Sequence, residues 1–394
     1  MPAVRDVIVV GAGPVGFLTA LGLARAGLDV TVVEAQPGIN DSPRAAVYFP
    51  TTLAVLEKLG LLEDARAIGL ASTRFTMRFP DSGEVIRTDL RNTLPPDSPY
   101  DYSLHFGQHI LAELVMRHLR ELPNARVLWS HEAVHIEQDE EGVTLGVSTP
   151  TGDTCLRGDW LIGADGARSS VRRLLGLSFE GFTWPDRFVA TNVEFDFYEL
   201  GFADANMIID PVHWAVCARL GRNGLWRVTF GEDAAVDEAG IADRIEGHYR
   251  GIFGDIGGYR IDRFSPYRVH ERCAPTFRVG RVLLAGDAAH VCNPCGGLGL
   301  TSGVIDADVL TRALIAVVED RADEDLLDWY AKERRRVFRE VTSPAASEFK
   351  RQMSEPDPDL RERDRLRFLE GLKAADSGRS TLLSRKIAGD PLPI

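Results

Sequence analysis

The stretch DVIVVGAGPVGFLTALGLARAGLDVTVVE, residues 6–34, decides the fold. Its residues 7–10 are all apolar, as expected of a strand that is buried on both faces of a sheet. The strand ends in GAGPVG, residues 11–16, which fits the pattern G-x-G-x-x-G. A helix is predicted over residues 14–26, because proline favours its first turn and a glycine follows its end. The segment DVTVV supplies a second, parallel strand, so the stretch predicts a βαβ unit of an open α/β sheet.

The glycine turn in this stretch predicts a dinucleotide site. The first glycine allows the tight turn, the second lets the backbone approach a pyrophosphate, and the third lets the helix pack closely on the strand. The helix start favours phosphates through its amides and its dipole. Glu34 ends the second strand, where an acid binds a ribose hydroxyl pair, and its charge disfavours the 2′-phosphate of NADP. FAD and NAD both remain open. The predicted contacts are Gly11, Gly13, Pro14, Val15, Gly16, Glu34 and Ala35.

Composition indicates a globular chain with more than one domain. The chain has 394 residues, of which 44% are hydrophobic and 26% charged, and its net charge is -13. The negative charge argues against a nucleic-acid surface, which needs a basic stripe. No apolar run reaches the roughly 20 residues of a membrane span, and the start does not read as a signal peptide. Five cysteines imply no disulfide framework, so we expect a cytoplasmic protein with reduced thiols.

The remaining sequence predicts two kinds of structure. Helical spacing of apolar residues predicts a helix in residues 50–65 and another in residues 107–122, and long helical patterns follow residue 303. Alternation dominates residues 188–231 and indicates an antiparallel sheet. The segment GRVLLAGD then returns to the pattern of a parallel sheet, and no second G-x-G-x-x-G follows a strand. We therefore predict a discontinuous nucleotide-binding domain with one dinucleotide site and a sheet domain inserted into it.

A second informative stretch is RVLLAGDAAHVCNPCGGLGLTSG, residues 281–303. Asp287 follows a buried strand, and ligands of open α/β sheets bind at the carboxyl ends of strands. There it can accept hydrogen bonds from a polyol chain. The glycines after Pro294 allow the backbone to approach a flat ligand, and a helix is predicted to begin near Leu300. The positive end of that helix suits the pyrimidine edge of a flavin, which becomes anionic on reduction.

The same stretch leaves two other readings open. His290, Cys292 and Cys295 have spacing compatible with zinc, although a structural zinc site normally needs a fourth ligand. Cys292 and Cys295 could also form a redox pair, although the surrounding pattern is not thioredoxin-like. The simplest reading makes them small, half-buried thiols beside a proline, and we expect no metal site. His290 is expected to pack beside the cofactor.

Three segments together resemble the flavin-dependent aromatic hydroxylases of the p-hydroxybenzoate hydroxylase family. They are GAGPVGFLTALGLARAGLDVTVVE, GADGARSSVRRLLG and GRVLLAGDAAHVCNPCGGLGL. The resemblance implies an α/β chain with a Rossmann-like FAD-binding domain of the GR2 type, an inserted antiparallel β-sheet substrate domain and C-terminal helices. The implied FAD-binding domain comprises residues 1–75, 104–180 and 268–340. The substrate domain comprises residues 76–103 and 181–267, and a helical segment covers residues 341–394.

The resemblance also implies roles for individual residues. The first segment would bind the ADP half of FAD, and Asp165-Gly166 with Arg168, Ser169 and Arg172 would support FAD and a transient pyridine nucleotide. Asp287 would bind the ribityl chain, and Pro294 would lie beside the reactive carbon of the flavin. The remaining implied cofactor contacts are Arg44, Gln108, Gly286, Gly297, Leu298, Gly299 and Leu300.

The implied activity is that of an FAD-dependent monooxygenase. NADH or NADPH would reduce FAD as a transient reductant. Dioxygen would then hydroxylate a phenolic or other electron-rich (hetero)aromatic substrate through a flavin C4a-hydroperoxide. A flavin dehydrogenase, a flavin-dependent halogenase, a non-catalytic flavin-binding scaffold and an NAD-linked oxidoreductase remain as alternatives. We expect no nucleic acid, membrane or metal as a partner, and we allow for a homodimer.

The substrate pocket is expected between the antiparallel sheet and the flavin ring. Alternation along one strand would place Met207, Ile209, His213 and Cys217 on a single face. His213 could then bind or help to deprotonate a phenolic hydroxyl, although a satisfied histidine at the edge of the core is the simpler reading. The other predicted catalytic residues are Tyr48, Tyr267 and Pro294.

Overall fold

The computed structural model describes residues 6–93, 98–376 and 383–393. The predicted domain ranges also include residues 1–5, 94–97, 377–382 and 394, which lie outside the described residues. The described chain forms two large β-sheets, two three-stranded sheets and the helices that cover them. No helix of this part of the chain has the length and apolar character needed to cross a membrane.

Regular structure runs through most of the described chain. Its strands, in chain order, are β1 (Asp6–Val10), β2 (Asp29–Glu34), β3 (Val47–Tyr48), β4 (Leu70–Ser72), β5 (Arg74–Phe79), β6 (Glu84–Asp89), β7 (Ser103–His105), β8 (Ala125–Trp129), β9 (Glu132–Gln138), β10 (Val143–Thr149), β11 (Gly152–Gly158), β12 (Trp160–Gly163), β13 (Glu180–Glu194), β14 (Ala205–Ile208), β15 (Ala215–Leu220), β16 (Leu225–Asp233), β17 (Arg260–Cys273), β18 (Arg278–Val279), β19 (Val282–Leu284) and β20 (His290–Val291). Its α-helices are α1 (Pro14–Arg25), α2 (Pro50–Lys58), α3 (Leu62–Ile68), α4 (Leu90–Thr93), α5 (Gln108–Arg120), α6 (Ser170–Leu174), α7 (Ile241–Phe253), α8 (Leu298–Val318), α9 (Asp325–Val337), α10 (Ser343–Met353), α11 (Pro358–Asp376) and α12 (Leu383–Ala388).

The first large sheet has six strands in the order β18-β19-β12-β1-β2-β8. All neighbouring pairs are parallel except β18 and β19. β1 and β2 lie side by side with Val7 opposite Val30, and α1 forms the crossover between them. Val9 and Val32 have almost no exposed surface, because helices and sheet segments cover both faces. The predicted βαβ unit is therefore present.

The second large sheet has eight strands in the order β20-β17-β13-β16-β15-β14-β5-β6. Its neighbouring pairs are antiparallel except β14 and β5. One face packs on α7, and Phe197, Trp226 and Tyr249 form the centre of the apolar core there. The parallel sheet, the antiparallel sheet and the C-terminal helices together confirm the predicted fold class.

Two local predictions are wrong. Residues 50–65 form two helices, α2 and α3, because Gly60 has a φ of +56°, which no right-handed helix contains. The shared face predicted for Met207, Ile209, His213 and Cys217 does not exist either, because the chain turns between β14 and β15. Met207 and Ile209 join an apolar cluster on one side of the sheet, whereas Cys217 joins the core on the α7 side.

The C-terminal helices pack on both large sheets. α8 lies against α1, where a Cβ on Gly22 would come within 2.7 Å of Thr311. α10 brings Phe349 against Gly296, in the loop that precedes α8. This packing is compatible with the division that the sequence predicts, and we keep that division as a proposal: a discontinuous cofactor domain, a sheet domain and a C-terminal helical segment.

Candidate active site

A cavity of about 680 Å³ lies between the carboxyl ends of the six-stranded sheet and one face of the eight-stranded sheet. Gly13 follows β1, Ala164 follows β12 and Asp287 follows β19, and all three line this cavity. Ligands of open α/β sheets bind at such strand ends. The structure thus brings together the three segments that carry the sequence resemblance.

The turn after β1 leaves room for a ligand only at its second glycine. A Cβ on Gly11, whose φ is +111°, would lie 2.4 Å from the carbonyl oxygen of Ala164. A Cβ on Gly16 would lie 2.0 Å from the carbonyl oxygen of Gly11. A Cβ on Gly13, by contrast, would meet no atom within 4 Å. The first and third glycines therefore serve packing, while the second keeps the start of α1 open, as the approach of a pyrophosphate requires.

Glu34 is held beside this turn by two backbone amides. Its Oε2 accepts a hydrogen bond of 2.8 Å from Ala12, and its Oε1 accepts one of 2.9 Å from Gln36. Each oxygen retains acceptor capacity, so the oriented carboxylate can still bind ribose hydroxyls. Ala35 follows at the exposed end of β2.

The turn after β12 is shaped by Asp165. Its Oδ1 accepts a hydrogen bond of 2.5 Å from the Ser169 hydroxyl, and its Oδ2 accepts one of 2.6 Å from the Ser170 amide. Burial raises the pKa of Asp165, although these hydrogen bonds oppose the rise. Gly166 and Ala167, rather than Asp165, line the cavity. The geometry gives Asp165 the role of supporting the turn.

Arg172 joins this turn to the one after β19. Its guanidinium donates hydrogen bonds of 2.8 Å to the carbonyl oxygens of Ala288 and Ala167, and it lies 3.7 Å from the ring centroid of Phe179. Arg172 is therefore a structural tie between two of the three segments.

The turn after β19 presents a carboxylate without a protein partner. Asp287 lies in a short 3-10 turn (Gly286–Ala288), its side chain is exposed to the cavity, and it forms no hydrogen bond or ion pair with the described residues. The protein around the cavity raises the pKa of Asp287 by desolvation, and His290 and Arg44 oppose the rise. Such a carboxylate fits the hydroxyl groups of a ribityl chain, which would donate hydrogen bonds to it.

The loop after Pro294 brings backbone amides to the cavity. Gly296 and Gly297 have φ values of +83° and +68°, in the left-handed region that favours glycine. α8 begins directly after them, and residues 297–300 line the cavity. The amino end of this 21-residue helix carries partial positive charge. It therefore suits a ring edge that gains negative charge on reduction.

A buried carboxylate holds the loop that carries Pro294. Oε1 of Glu271 accepts hydrogen bonds from the amide and the side chain of Asn293, at 2.9 and 2.6 Å. Its Oε2 accepts one of 2.8 Å from Ser343 of α10. Burial raises the pKa of Glu271, and the hydrogen bonds oppose it. Sequence reasoning missed Glu271, because its partners come from two distant segments.

Asp306 of α8 holds the turn after β19 in place through buried hydrogen bonds. Its Oδ2 accepts a hydrogen bond of 3.0 Å from the Gly286 amide and lies 2.7 Å from Nε2 of His290. Its Oδ1 accepts one of 2.7 Å from Nε of Arg334, which also donates to the carbonyl oxygen of Ile387 at 2.9 Å. This ion cluster has almost no exposed surface. It places His290 in packing behind the cavity and ties the turn to the C-terminal segment.

The cavity floor is the face of the eight-stranded sheet that lines the cavity, and it is mostly apolar. Phe188 and Trp214 close one end, with ring centroids 4.8 Å apart. Trp214 fits there because a Cβ on Gly231 would lie only 2.3 Å from its indole. The lining residues of the floor are Phe75, Met77, Phe188, Ala190, Met207, Trp214, Val216, Ala218, Arg227, Thr229 and Tyr267. Such a surface suits a small aromatic ring.

Arg227 is the one cation in the middle strands of this floor, and sequence reasoning missed it. Its guanidinium donates to the Asn192 side-chain oxygen, at 3.1 Å from Nε and 2.7 Å from Nη2, and its Nη1 donates to the carbonyl oxygen of Arg44. Two of its five N–H donors remain free. Burial lowers the pKa of Arg227 to about 10. It has no carboxylate partner among the described residues and can therefore face an anion.

A group of arginines that have no carboxylate partner in the described chain lies around His270, which lines the cavity. Arg168, Arg268 and Arg272 form no ion pair within the described chain. Burial lowers the pKa of His270, and the charges of these three arginines lower it further. Arg268 and His270 line the cavity, as does Arg44, whose guanidinium lies 5.6 Å from the ring centroid of Tyr267. In a chain with a net charge of -13, this local excess of cations fits a phosphate-bearing ligand.

The predicted catalytic residues separate into two groups. Tyr267 and Pro294 line the cavity, and burial raises the pKa of Tyr267. Tyr48 is not a lining residue: it has no exposed surface, it stacks on Phe106 and its hydroxyl has no partner among the described residues. His213 lies against Gly251 of α7, where a Cβ would be 2.4 Å from its ring. Its position on the α7 side follows from the turn between β14 and β15.

The sequence left a zinc site and a redox pair open for Cys292 and Cys295, and the described residues bear on both. Cys292 is half-buried and Cys295 is buried, both are free, and burial raises the pKa of the Cys295 thiol to about 12. No group of three or more His, Cys, Asp or Glu side chains in these residues is arranged to hold a metal ion.

Taken together, the cavity fits FAD. Gly13 leaves the pyrophosphate approach open, Glu34 is oriented towards it, and Asp287 is an unpartnered acceptor at the middle of the site. Gln108 lines the same cavity at the start of α5. The amino end of α8 and the cavity floor then enclose the space for the flavin ring and a substrate.

Comparison with known proteins gives consistent matches. The profile of a family described as an FAD binding domain matches residues 5–345. The chain is 46% identical over 373 residues to para-nitrophenol 4-monooxygenase of Pseudomonas sp. (strain WBC-3), covering 94% of this chain and 92% of the relative. It is 44% identical over 355 residues to 6-hydroxy-3-succinoylpyridine 3-monooxygenase HspB of Pseudomonas putida (strain DSM 28022 / S16), covering 90% of each.

A solved structure shares the whole architecture. The crystal structure of p-nitrophenol 4-monooxygenase PnpA from Pseudomonas putida DLL-E4 superposes with a TM-score of 0.93 at 43% sequence identity. The match covers 99% of this chain and 100% of that one. Both large sheets and the C-terminal helices therefore belong to one shared fold.

Proposed function

This chain belongs to the FAD-binding family that contains the flavin-dependent aromatic monooxygenases, and from that premise we propose the ring carbon on which it acts. It binds FAD, uses NAD(P)H as the reductant and dioxygen as the oxidant, and hydroxylates a small aromatic substrate. The family, activity and cofactors predicted from the sequence are thereby confirmed. Nothing supports the dehydrogenase, halogenase, scaffold or NAD-linked alternatives.

One observation carries the proposal: the names of the two relatives place their reactions at equivalent ring carbons, each opposite a hydroxyl group. Para-nitrophenol 4-monooxygenase acts at carbon 4, which carries the nitro group opposite the hydroxyl. The second relative acts at carbon 3 of a pyridine, which carries the succinoyl group opposite the 6-hydroxyl. We propose that this chain hydroxylates a 4-substituted phenol, or the equivalent hydroxypyridine, at the substituted carbon and thereby displaces the substituent.

The proposed reaction balances for a nitro substituent. The carbon–oxygen bond forms at carbon 4, and the carbon–nitrogen bond breaks with its electron pair leaving on nitrite. One 4-nitrophenol, one dioxygen, one NAD(P)H and one proton then give benzoquinone, nitrous acid, NAD(P)⁺ and water. Bound FAD supplies the transfer of reducing equivalents to dioxygen and the activated oxygen. The electron-rich para carbon of a phenol is the position at which such an oxygen is accepted.

The residues of the chain would position the reactants and exclude water. Gly13, Glu34 and Asp287 would hold the pyrophosphate, the ribose and the ribityl chain, in that order along the cofactor. Pro294 would lie beside the reactive carbon of the flavin ring. The apolar floor, closed by Phe188 and Trp214, would keep water from the activated oxygen. The two free donors of Arg227 would favour the departing anion.

Release of the substituent tests the proposal. The holoenzyme is mixed with 4-nitrophenol and NADH or NADPH, and nitrite, dioxygen consumption and NAD(P)H oxidation are measured together. We expect one nitrite for each NAD(P)H oxidised. Formation of 4-nitrocatechol without nitrite would show attack beside the hydroxyl and would overturn the proposal.

Two further predictions remain proposals. We propose a cytoplasmic location, which the five free cysteines support, because secreted chains of this kind usually pair their thiols. A homodimer without nucleic-acid or membrane partners also remains a proposal. Sedimentation at working concentration would test the dimer.

A further inference from the structure

A free hydroxyl stands in the middle of the apolar cavity floor. Thr229 of β16 lies between Ala190 of β13 and Val216 of β15, and its side chain lines the cavity. Its hydroxyl forms no hydrogen bond with the described residues. The nearby Asn206 differs, because both of its side-chain N–H donors go to the carbonyl oxygens of Ala203 and Cys217.

Packing alone does not explain a threonine at this place. Valine has the same branched shape and the same preference for strands, so it would fill the same space between its two apolar neighbours. A hydroxyl that loses water without gaining a partner costs roughly 1–3 kcal/mol. Thr229 is half-buried at the cavity, where water can satisfy its hydroxyl, so a bound ring that displaces this water must supply a hydrogen-bond partner to avoid that cost.

The order of residues along β16 places this hydroxyl relative to the cofactor. Arg227 marks the cofactor end of the strand, because its guanidinium donates to the carbonyl oxygen of Arg44. Gly231 marks the far end, where the indole of Trp214 lies across the sheet. Thr229 stands midway, two residues or about 6.8 Å from Arg227. It thus lies farther from the cofactor end of the floor than Arg227 does.

We propose that Thr229 binds the phenolic oxygen that lies opposite the attacked carbon, and so selects substrates hydroxylated para to their hydroxyl. The inference rests on the proposed function: if carbon 4 faces the cofactor, the oxygen on carbon 1 must point to the far half of the space. The threonine hydroxyl can accept from a phenol and can donate to a phenolate. An enzyme that attacks beside the hydroxyl would have no use for a partner there.

Paired ligands test the proposal on the holoenzyme. The probes are 4-nitrophenol and nitrobenzene, which differ only in the phenolic oxygen, and binding is followed by the change in FAD absorbance. We expect Thr229→Val to weaken 4-nitrophenol binding about tenfold and to leave nitrobenzene binding unchanged, since one hydrogen bond to a phenolate is lost. Thr229→Ser should stay within about threefold of the wild type, because it keeps the hydroxyl.

A matched control comes from the neighbouring strand. Thr191 of β13 points to the other face of the sheet and shares a hydrogen bond with the Tyr249 hydroxyl. Thr191→Val removes the same group from the same sheet, so it should leave the ratio of the two dissociation constants unchanged. The nitrite yield per NAD(P)H should fall in Thr229→Val only, because a ring that is no longer oriented is attacked less often.

The outcomes separate the two proposals. Thr229 has no such role if Thr229→Val binds 4-nitrophenol as the wild type does, if both ligands weaken equally, or if the wild type does not distinguish the two ligands. A wild-type holoenzyme that distinguishes the ligands but releases no nitrite would instead count against the proposed function.

Discussion

Asp287 is the residue whose surroundings say most about the cofactor. It faces the cavity without a hydrogen bond or ion pair in the described chain. We expect Asp287→Asn to weaken FAD binding at least about tenfold, because hydrogen bonds to a charged group are worth about 1.5–3 kcal/mol. The apoprotein should keep its melting temperature, since no protein partner is lost. Fluorescence titration of apoprotein with FAD measures the first effect, and calorimetry the second.

Asp308 provides the matched control for this substitution. It lies on α8 and pairs at the surface with Lys58 and Arg312. Asp308→Asn should leave FAD affinity unchanged. Equal FAD affinity in Asp287→Asn and the wild type would remove Asp287 from the cofactor site.

We expect Arg268 to bind a phosphate group of the pyridine nucleotide. It lines the cavity and has no carboxylate partner in the described residues. Arg268→Gln should raise KM for NAD(P)H about five- to tenfold with little change in kcat once the nucleotide saturates, because a phosphate contact is lost. In the wild type KM should rise with salt, and in the variant it should rise less.

Arg260 on the same strand is the control for Arg268. It is exposed and pairs with Glu194. Arg260→Gln should leave KM for NAD(P)H and its salt dependence unchanged. An unchanged KM in Arg268→Gln would move the nucleotide site away from this group of arginines.

Two of the residues that the sequence predicts for the cofactor site share one property. Glu34 and Asp287 each stand at the end of a strand next to a glycine turn, so the local pattern alone predicts them. Arg227, Glu271 and Asp306 were missed because their partners lie far away along the chain. A buried ion pair or hydrogen bond between distant segments leaves no periodic trace in one sequence. Only the fold reveals such residues.

At the scale of the element, the functions of the second and third glycines of the turn after β1 can be separated by experiment. A Cβ on Gly16 would lie 2.0 Å from the Gly11 carbonyl oxygen, whereas a Cβ on Gly13 would meet no protein atom within 4 Å. We expect Gly16→Ala to destabilise the apoprotein by several kcal/mol, because α1 must move away from β1. Gly13→Ala should fold normally and lose FAD, because its methyl group enters the ligand space.

Two measurements distinguish these variants. Thermal melting of apoprotein should show a loss of stability for Gly16→Ala only, and FAD content after reconstitution should fall for both. Gly27→Ala is an unsuitable control, since its φ of +89° would add strain. If Gly13→Ala retained full FAD affinity, the pyrophosphate would have to lie elsewhere.

Elements were predictable where one local signal dominates. α1 begins at Pro14 as predicted, because a glycine turn and a proline fix its start. The pattern in residues 50–65 hid a break, because leucines on both sides of Gly60 preserve the helical spacing while its positive φ ends the helix. Alternation failed around His213 for a related reason. Met207 lies opposite Val216, so odd-numbered residues face the cavity in β14 and the α7 side in β15.

At the scale of the whole molecule, one buried cluster links the cofactor turn to the C-terminus. Asp306 receives the Gly286 amide from the turn after β19, lies beside His290, and accepts from Arg334 of α9, which in turn holds the Ile387 carbonyl. α12, which carries Ile387, also lines the cavity. The long-range architecture was predictable from the family resemblance. This connection was not, because it joins four segments that are distant in sequence.

The cluster makes a prediction about acid stability. Burial alone would raise the pKa of Asp306, but the charges and hydrogen bonds of His290 and Arg334 outweigh it and hold the pKa at about 2, below the ordinary 3.8. Folding therefore favours the ionised carboxylate. Its contribution, about 2 kcal/mol from such a shift, is fully present above about pH 4 and is lost as the pH falls towards 2.

Asp306→Asn should accordingly lower the free energy of unfolding by about 3–5 kcal/mol at pH 7, because the Arg334 charge stays buried without its partner. Denaturant unfolding at pH 7, 5, 4 and 3 should show this deficit constant down to about pH 4 and shrinking below it, as the wild type loses the same contribution. Asp306→Leu combined with Arg334→Met should recover part of the loss, since no unpaired charge remains. A deficit that stayed constant below pH 4 would mean that Asp306 is not ionised in the folded chain. The hydrogen bonds of a neutral carboxyl group, rather than its charge, would then hold the four segments together.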